Sequence, residues 1–135
     1  MYVSFTEASY ENSIIELFKN MGYEHVYGPD IERDSKNPLY EEVLVDYLAR
    51  LNPNMPQDAL QEALFKLKDF DNAELVQKNI RFMDYLQNGV PVRYFVKNEE
   101  RSGLVYLVDY KNPSNNSFMV INQWTFVENS NVSAF

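Results

Sequence analysis

Two periodicities divide the chain. Up to about residue 89 the apolar residues recur at helical spacing, and beyond Val92 they run together as they do in strands. A first helix, capped by Ser4 or Thr6, is predicted to reach Met21 on the spacing of Ile14, Ile15, Leu17, Phe18 and Met21, with Gly22 in the left-handed position past its end. Tyr23 to Tyr27 suggests a short strand, and the polar stretch 28–37 suggests a mobile loop. A second helix is predicted from Pro38, capped by Asn37, with Leu39, Val43, Leu44, Tyr47, Leu48 and Leu51 as its stripe and an end before Pro53. Pro56 opens a third, carrying Leu60, Ala63, Leu64 and Leu67. Asp71 or Asn72 caps a fourth, with Val76, Ile80, Met83 and Leu86 facing inward and Gly89 at its end. Val92 to Val96 is the first strand of an antiparallel meander, and 98–103 its polar turn. The run from Leu104 to Val127 is the centre of the sheet, a hairpin pairing 104–110 with 118–127 across a Lys/Asn/Pro/Ser turn. Helices first and an antiparallel meander after them predict an α+β fold.

Length and composition narrow the class. A chain of 135 residues can bury a core, and 45% hydrophobic with 15% aromatic content argues against disorder. Without cysteine there is neither a disulfide framework nor a thiolate metal site. No basic, apolar leader opens the chain and no apolar run approaches the roughly 18 residues a membrane span needs, so a cytoplasmic protein with no membrane partner is expected. The net charge of −8 opposes a simple nucleic-acid-binding module, because such affinity comes from Lys and Arg neutralising phosphates. It suits a site that gathers carboxylates around a divalent cation.

Few motifs carry chemistry outright. His25 is the one histidine, which weakens any scheme based on imidazole. Four glycines cannot write a phosphate-binding loop of either common type, so an ATP-driven motor must lie outside this chain. Glu7 and Glu11 stand one turn apart on the first helix and share a face; the plain reading is an acidic first turn favoured by the helix dipole. Asp109-Tyr110-Lys111 matches the Asp/Glu-x-Lys triplet of metal-dependent nucleases. No strand-end Asp precedes it at a sensible distance, so Asp109 is expected instead to bind backbone N–H groups in a turn. Asn112, Asn115, Asn116 and Asn122 are explained by turn hydrogen bonding, and Trp124 and Phe126 by core packing.

The run V-x-L-V-D-Y-x-N-P-x-N-N-x-F-x-V-x-N-Q-W-T-F, from Val105 to Phe126, resembles the N-terminal region of the restriction (R) subunit of type I restriction-modification enzymes. GYEHVYG (22–28), LARLNPNMP (48–56) and NIRFMDYLQNGVPV (79–92) extend the resemblance upstream over almost the whole chain. It implies the first part of a restriction-endonuclease-like nuclease domain, truncated before the family's Pro-Asp and Glu-x-Lys strands, which follow the Asn-Gln-aromatic segment. It implies a full subunit that cleaves unmodified double-stranded DNA with Mg²⁺, is driven along DNA by ATP, and works with methylation and specificity subunits. Carried over to this sequence, Glu11 and less directly Glu7 become the first-helix acid of the nuclease, Glu11 a metal ligand or an orienter of water. Residues 1–135 alone are expected to be inactive. The competing reading, favoured by the acidic charge and the missing triplet, is a non-enzymatic interaction module or DNA mimic that binds a restriction complex.

Overall fold

The computed structural model describes residues 6–69, 74–128 and 131–134, with 128 and 131–134 described in their backbone alone. Among the described residues are four α-helices, α1 (Glu7–Asn20), α2 (Glu41–Leu51), α3 (Gln57–Lys68) and α4 (Leu75–Asn88), and six strands: β1 (Glu24–Tyr27), β2 (Val90–Val96), β3 (Glu99–Val105), β4 (Met119–Asn122), β5 (Thr125–Glu128) and β6 (Asn131–Ala134). Helix and strand together make the fold α+β. The chain divides into two compact units, one formed by residues 1–38 and 118–135, the other by 39–117.

In the first unit, Thr6 caps α1: its Oγ1 accepts from the Ser9 N–H at 3.2 Å. Ser4, the other predicted cap, lies outside the described residues. Gly22 follows the helix at φ +94°, a backbone that L side chains avoid. Ile15 is the buried residue of α1, while Tyr10, Ile14, Leu17 and Met21 form an exposed stripe at i, i+4, i+7 and i+11. Strands β1 and β4 pair in parallel, His25 opposite Val120 and Tyr27 opposite Asn122. Strands β5 and β6 form an antiparallel pair, Thr125 opposite Ala134.

The segment 28–37, predicted to be mobile, is held by several hydrogen bonds. The Arg33 guanidinium donates to the carbonyls of Asp34 (3.1 Å), Asn37 (2.7 Å) and Thr125, and lies 3.5 Å from the centre of the Trp124 ring. Trp124 Nε1–H donates to the Pro38 carbonyl at 2.9 Å, and Val127 N–H to the Ser35 carbonyl at 2.8 Å. These bonds also correct the start of α2. The Asn37 and Pro38 carbonyls are turned toward Arg33 and Trp124, and the helix begins at Glu41, with Glu41 and Glu42 in its first turn.

The second unit holds the core. Leu48, Ala59, Leu60, Ala63, Leu67, Tyr85, Val90, Val92 and Val105 pack together, α2 against α3 and α3 against the β2–β3 hairpin. Completely burying a side chain such as Leu48 contributes roughly 1.5–3 kcal/mol. The hairpin turns on Lys97 and Asn98, both at positive φ, a two-residue turn matching the twist of the strands. β3 therefore starts at Glu99, and of the predicted turn 98–103 only Asn98 is turn while 99–103 is strand. Helix α4 is also corrected: Val76, Ile80 and Met83 are exposed, Leu86 is half-buried and Tyr85 fills the inward position. Its predicted caps Asp71 and Asn72 lie outside the described residues.

The central hairpin is the main correction. Residues 104–110 do not pair with 118–127: Leu104 and Val105 end β3 against β2, while 119–122 pairs in parallel with β1. After Val105 side chains replace a neighbouring strand. The buried Asn52 amide accepts from Tyr106 N–H (2.8 Å) and donates to the Tyr106 carbonyl (2.9 Å), and the Tyr47 hydroxyl donates to the Leu107 carbonyl (2.8 Å). With its backbone groups so satisfied, the segment has no need of a strand partner. Among the described residues the strands form three two-stranded sheets, not one three-stranded meander.

Candidate functional site

Beyond Leu107, Asp109 organises a turn as its residue type predicts. Its Oδ1 accepts from Lys111 N–H (3.0 Å) and Asn112 N–H (2.9 Å), its Oδ2 from the Asn115 side chain (3.0 Å). Asn116 closes the turn from the other side, accepting from Asp109 N–H at 2.7 Å and donating to its carbonyl at 2.9 Å. The Asn112 N–H first, then the Asn115 amide and the Lys111 N–H and charge, hold the Asp109 carboxyl below the usual carboxylate range. Burial pushes the Tyr47 hydroxyl up, with the Asp109 charge adding and Arg50 opposing. Asp109 thus serves the turn, the role its residue type predicts.

The sequence-nominated acid lies in the other unit, and it is held. Glu11 is half-buried on α1, and its Oε1 accepts from Asn122 Nδ2 at 2.7 Å and from Gln123 Nε2 at 3.1 Å. The Gln123 amide also reaches Oε2, at 3.2 Å. Charge-assisted bonds of this kind are stronger than neutral ones. Asn122 meets a second partner on its other side, His25 Nε2, at 2.8 Å from Oδ1. Glu7 is exposed in the first turn of α1 and does not share in these bonds.

The backbone explains how two adjacent amides serve one carboxylate. Side chains alternate faces along a strand, so 122 and 123 ought to point apart. Gln123 instead takes φ +55°, a left-handed conformation uncommon for a residue with a side chain, and alternation is broken at the end of β4. The parallel register places 25, 27, 120 and 122 on one face, which lets His25 reach Asn122 diagonally. Gly28 permits the approach: a Cβ there would stand 2.4 Å from the Gln123 carbonyl oxygen and 2.6 Å from that of Asn122. Asn122, Gln123, His25 and Gly28 thus belong to the surroundings of Glu11, although their sequence contexts suggest turns and packing. The one available signal was their place in GYEHVYG and NQW.

These residues do not by themselves make a magnesium site. Among the described residues no three His, Cys, Asp or Glu side chains converge, and both Glu11 oxygens already accept amide N–H bonds. Magnesium asks for about six oxygens in near-octahedral array. No helix among the described residues is long and apolar enough to cross a membrane.

Fold and site define a mixed helix-and-strand chain that presents an acid from its first helix to the amides at a strand end. The chain belongs to the family described as "Type I restriction enzyme R protein N terminus", whose sequence profile matches residues 4–134. It is 28% identical over 125 residues to the type I restriction enzyme HindI endonuclease subunit of Haemophilus influenzae, covering 87% of this chain and 12% of that protein. It is 25% identical over 120 residues to a Methanocaldococcus jannaschii protein named as the MjaIXP endonuclease subunit of a type I restriction enzyme, covering 84% and 12%. The chain thus spans about an eighth of the length of these relatives. No solved structure matches it significantly.

Proposed function

We propose that this chain is the N-terminal portion of the nuclease domain of a type I restriction R subunit, and that Glu11 is the first-helix acid of that nuclease. The observation that carries the reading is the seating of Glu11: of the two acids nominated on α1, it alone is gripped by side chains of the family's Asn-Gln-aromatic segment. A solvated first-turn acid needs no such partners. In the whole subunit the reaction is hydrolysis of double-stranded DNA, coupled to ATP-driven translocation by motor domains elsewhere and carried out with methylation and specificity subunits. Mg²⁺ is the proposed metal, and the bulk of its ligands must come from residues other than those described. What this chain supplies is a carboxylate of fixed orientation, and positioning is a large share of catalytic power in such sites.

The net charge of −8 favours a second reading, an acidic module that competes with DNA for the methylation and specificity subunits. Supercoiled plasmid incubated with Mg²⁺ or Mn²⁺ separates the two. The 135-residue chain leaves the plasmid intact, whereas the longer subunit with its partner subunits and ATP cuts it. A longer subunit that never cuts, together with a 135-residue chain that displaces DNA from the methylation and specificity subunits, favours the module. Nicking by the 135 residues that Asp109→Ala or Lys111→Ala abolishes overturns the assignment of Asp109 to a turn.

A further inference from the structure

We propose that Asn122 and Gln123 are positioning residues for the Glu11 carboxylate, and that His25 locks the Asn122 amide in the orientation this requires. The inference rests on reading Glu11 as the nuclease acid. Its first support is a chain of donor and acceptor roles. A carboxylate only accepts, so Asn122 must turn its Nδ2 toward Glu11, which it meets at 2.7 Å. The Oδ1 of the same amide then faces His25 Nε2 at 2.8 Å, and that contact is a bond only when Nε2 carries the proton. A flipped Asn122 would set its carbonyl oxygen against the carboxylate, and would keep its His25 bond only by moving the imidazole proton to Nδ1. An imidazole held with its proton on Nε2 therefore reinforces the amide orientation that the acid imposes.

The second support is independent of side-chain roles. Gln123 departs from extended backbone to φ +55°, and Gly28 leaves the space into which the 122–123 backbone closes. Backbone strain at one strand end and an obligatory glycine at another converge on the same result, two amides on one carboxylate. Non-glycine residues in the left-handed region cost free energy and persist where the surrounding structure enforces them. Strand pairing alone does not require it, since β4 ends at Asn122.

The experiment compares Asn122→Asp, Asn122→Ala, His25→Gln and His25→Ala in the whole subunit, with Glu11→Ala and the Glu11→Ala/Asn122→Asp double variant beside them. Asn122→Asp has the same shape and keeps an acceptor for His25, but sets a carboxylate against Glu11. It is expected to lower DNA-cleavage turnover by roughly 10–100-fold, the scale for losing a residue that orients a catalytic group, with DNA affinity unchanged and the subunit still folded. The double variant falls no further than Glu11→Ala alone, because both changes remove one function. His25→Gln, which can still donate, retains cleavage where His25→Ala loses it. On the chain itself, nitrogen NMR of His25 shows a protonated Nε2, and Asn122→Ala removes that preference. Full cleavage by Asn122→Asp in a subunit that Glu11→Ala inactivates overturns the positioning proposal and leaves the role of Glu11 standing. Full cleavage by Glu11→Ala overturns both.

Discussion

Asn122 donates its side-chain N–H to Glu11 at 2.7 Å across 111 positions of sequence. The bond joins the first helix to the last residue of β4, and the Gln123 amide doubles it. An Asn-Gln pair ahead of an aromatic residue has no general structural purpose. Here each residue has its own: Asn122 and Gln123 hold Glu11, and Trp124 carries Arg33 on its face.

Gly28→Ala tests the close approach. The nearest atoms to the added methyl are backbone oxygens, which cannot swing aside, so the substitution is expected to destabilise the chain by about 1–3 kcal/mol. It also pushes the Gln123 carbonyl outward and draws the amides from Glu11. Urea unfolding reads the first effect, and changed amide resonances of Asn122 and Gln123 the second. Unchanged stability contradicts the packing described.

Asn52→Leu tests the side chain that stands in for a strand. It leaves the Tyr106 N–H and carbonyl without their protein partners, an expected loss of about 1–3 kcal/mol. Faster hydrogen exchange at Tyr106 N–H should accompany it. Unaltered exchange there shows that another group can take the place of Asn52.

Arg33→Lys tests the anchoring of residues 28–38. A lysine retains the charge but not the planar fork that meets three carbonyls or its stacking on Trp124. Exchange at Val127 N–H, bonded to the Ser35 carbonyl, is expected to quicken. Equal exchange in both proteins means that the segment is held without Arg33.

The Asp109 turn carries a pH dependence of definite sign. Its folded carboxyl is held below the ordinary value, so its contribution is present above the unfolded pKa and is lost as pH falls through the folded one. Protection of the Lys111 and Asn112 amides should therefore persist through the ordinary carboxylate range and fade only at more acid pH. Asp109→Asn should remove the pH dependence. Protection that rises on acidification has the wrong sign for this account.

The helices were legible because each one carries local instructions. Thr6 at a cap, Gly22 and Gly89 past helix ends, and Pro53 and Pro56 between α2 and α3 act within a few residues. Strand partners were not legible in the same way. Apolar runs at 104–110 and 118–127 say that both segments bury side chains, but not against what. A side-chain amide from Asn52 ended one run as a strand, and β1 claimed part of the other. At the site, Glu11 could be nominated by resemblance and Asp109 by its turn chemistry. The amides around Glu11 could not, because a left-handed Gln123 and a diagonal His25 contact depend on tertiary geometry. The exposed stripes of α1 and α4 mark where helical periodicity overstated burial.

The most direct measurement is DNA cleavage by the whole R subunit, with its partner subunits, ATP and Mg²⁺, comparing the unaltered protein with Glu11→Ala. The account predicts that cleavage turnover falls by at least about tenfold while ATP hydrolysis and DNA affinity remain near normal. Cleavage at the unaltered rate would return Glu11 to an ordinary first-turn acid and contradict the central claim.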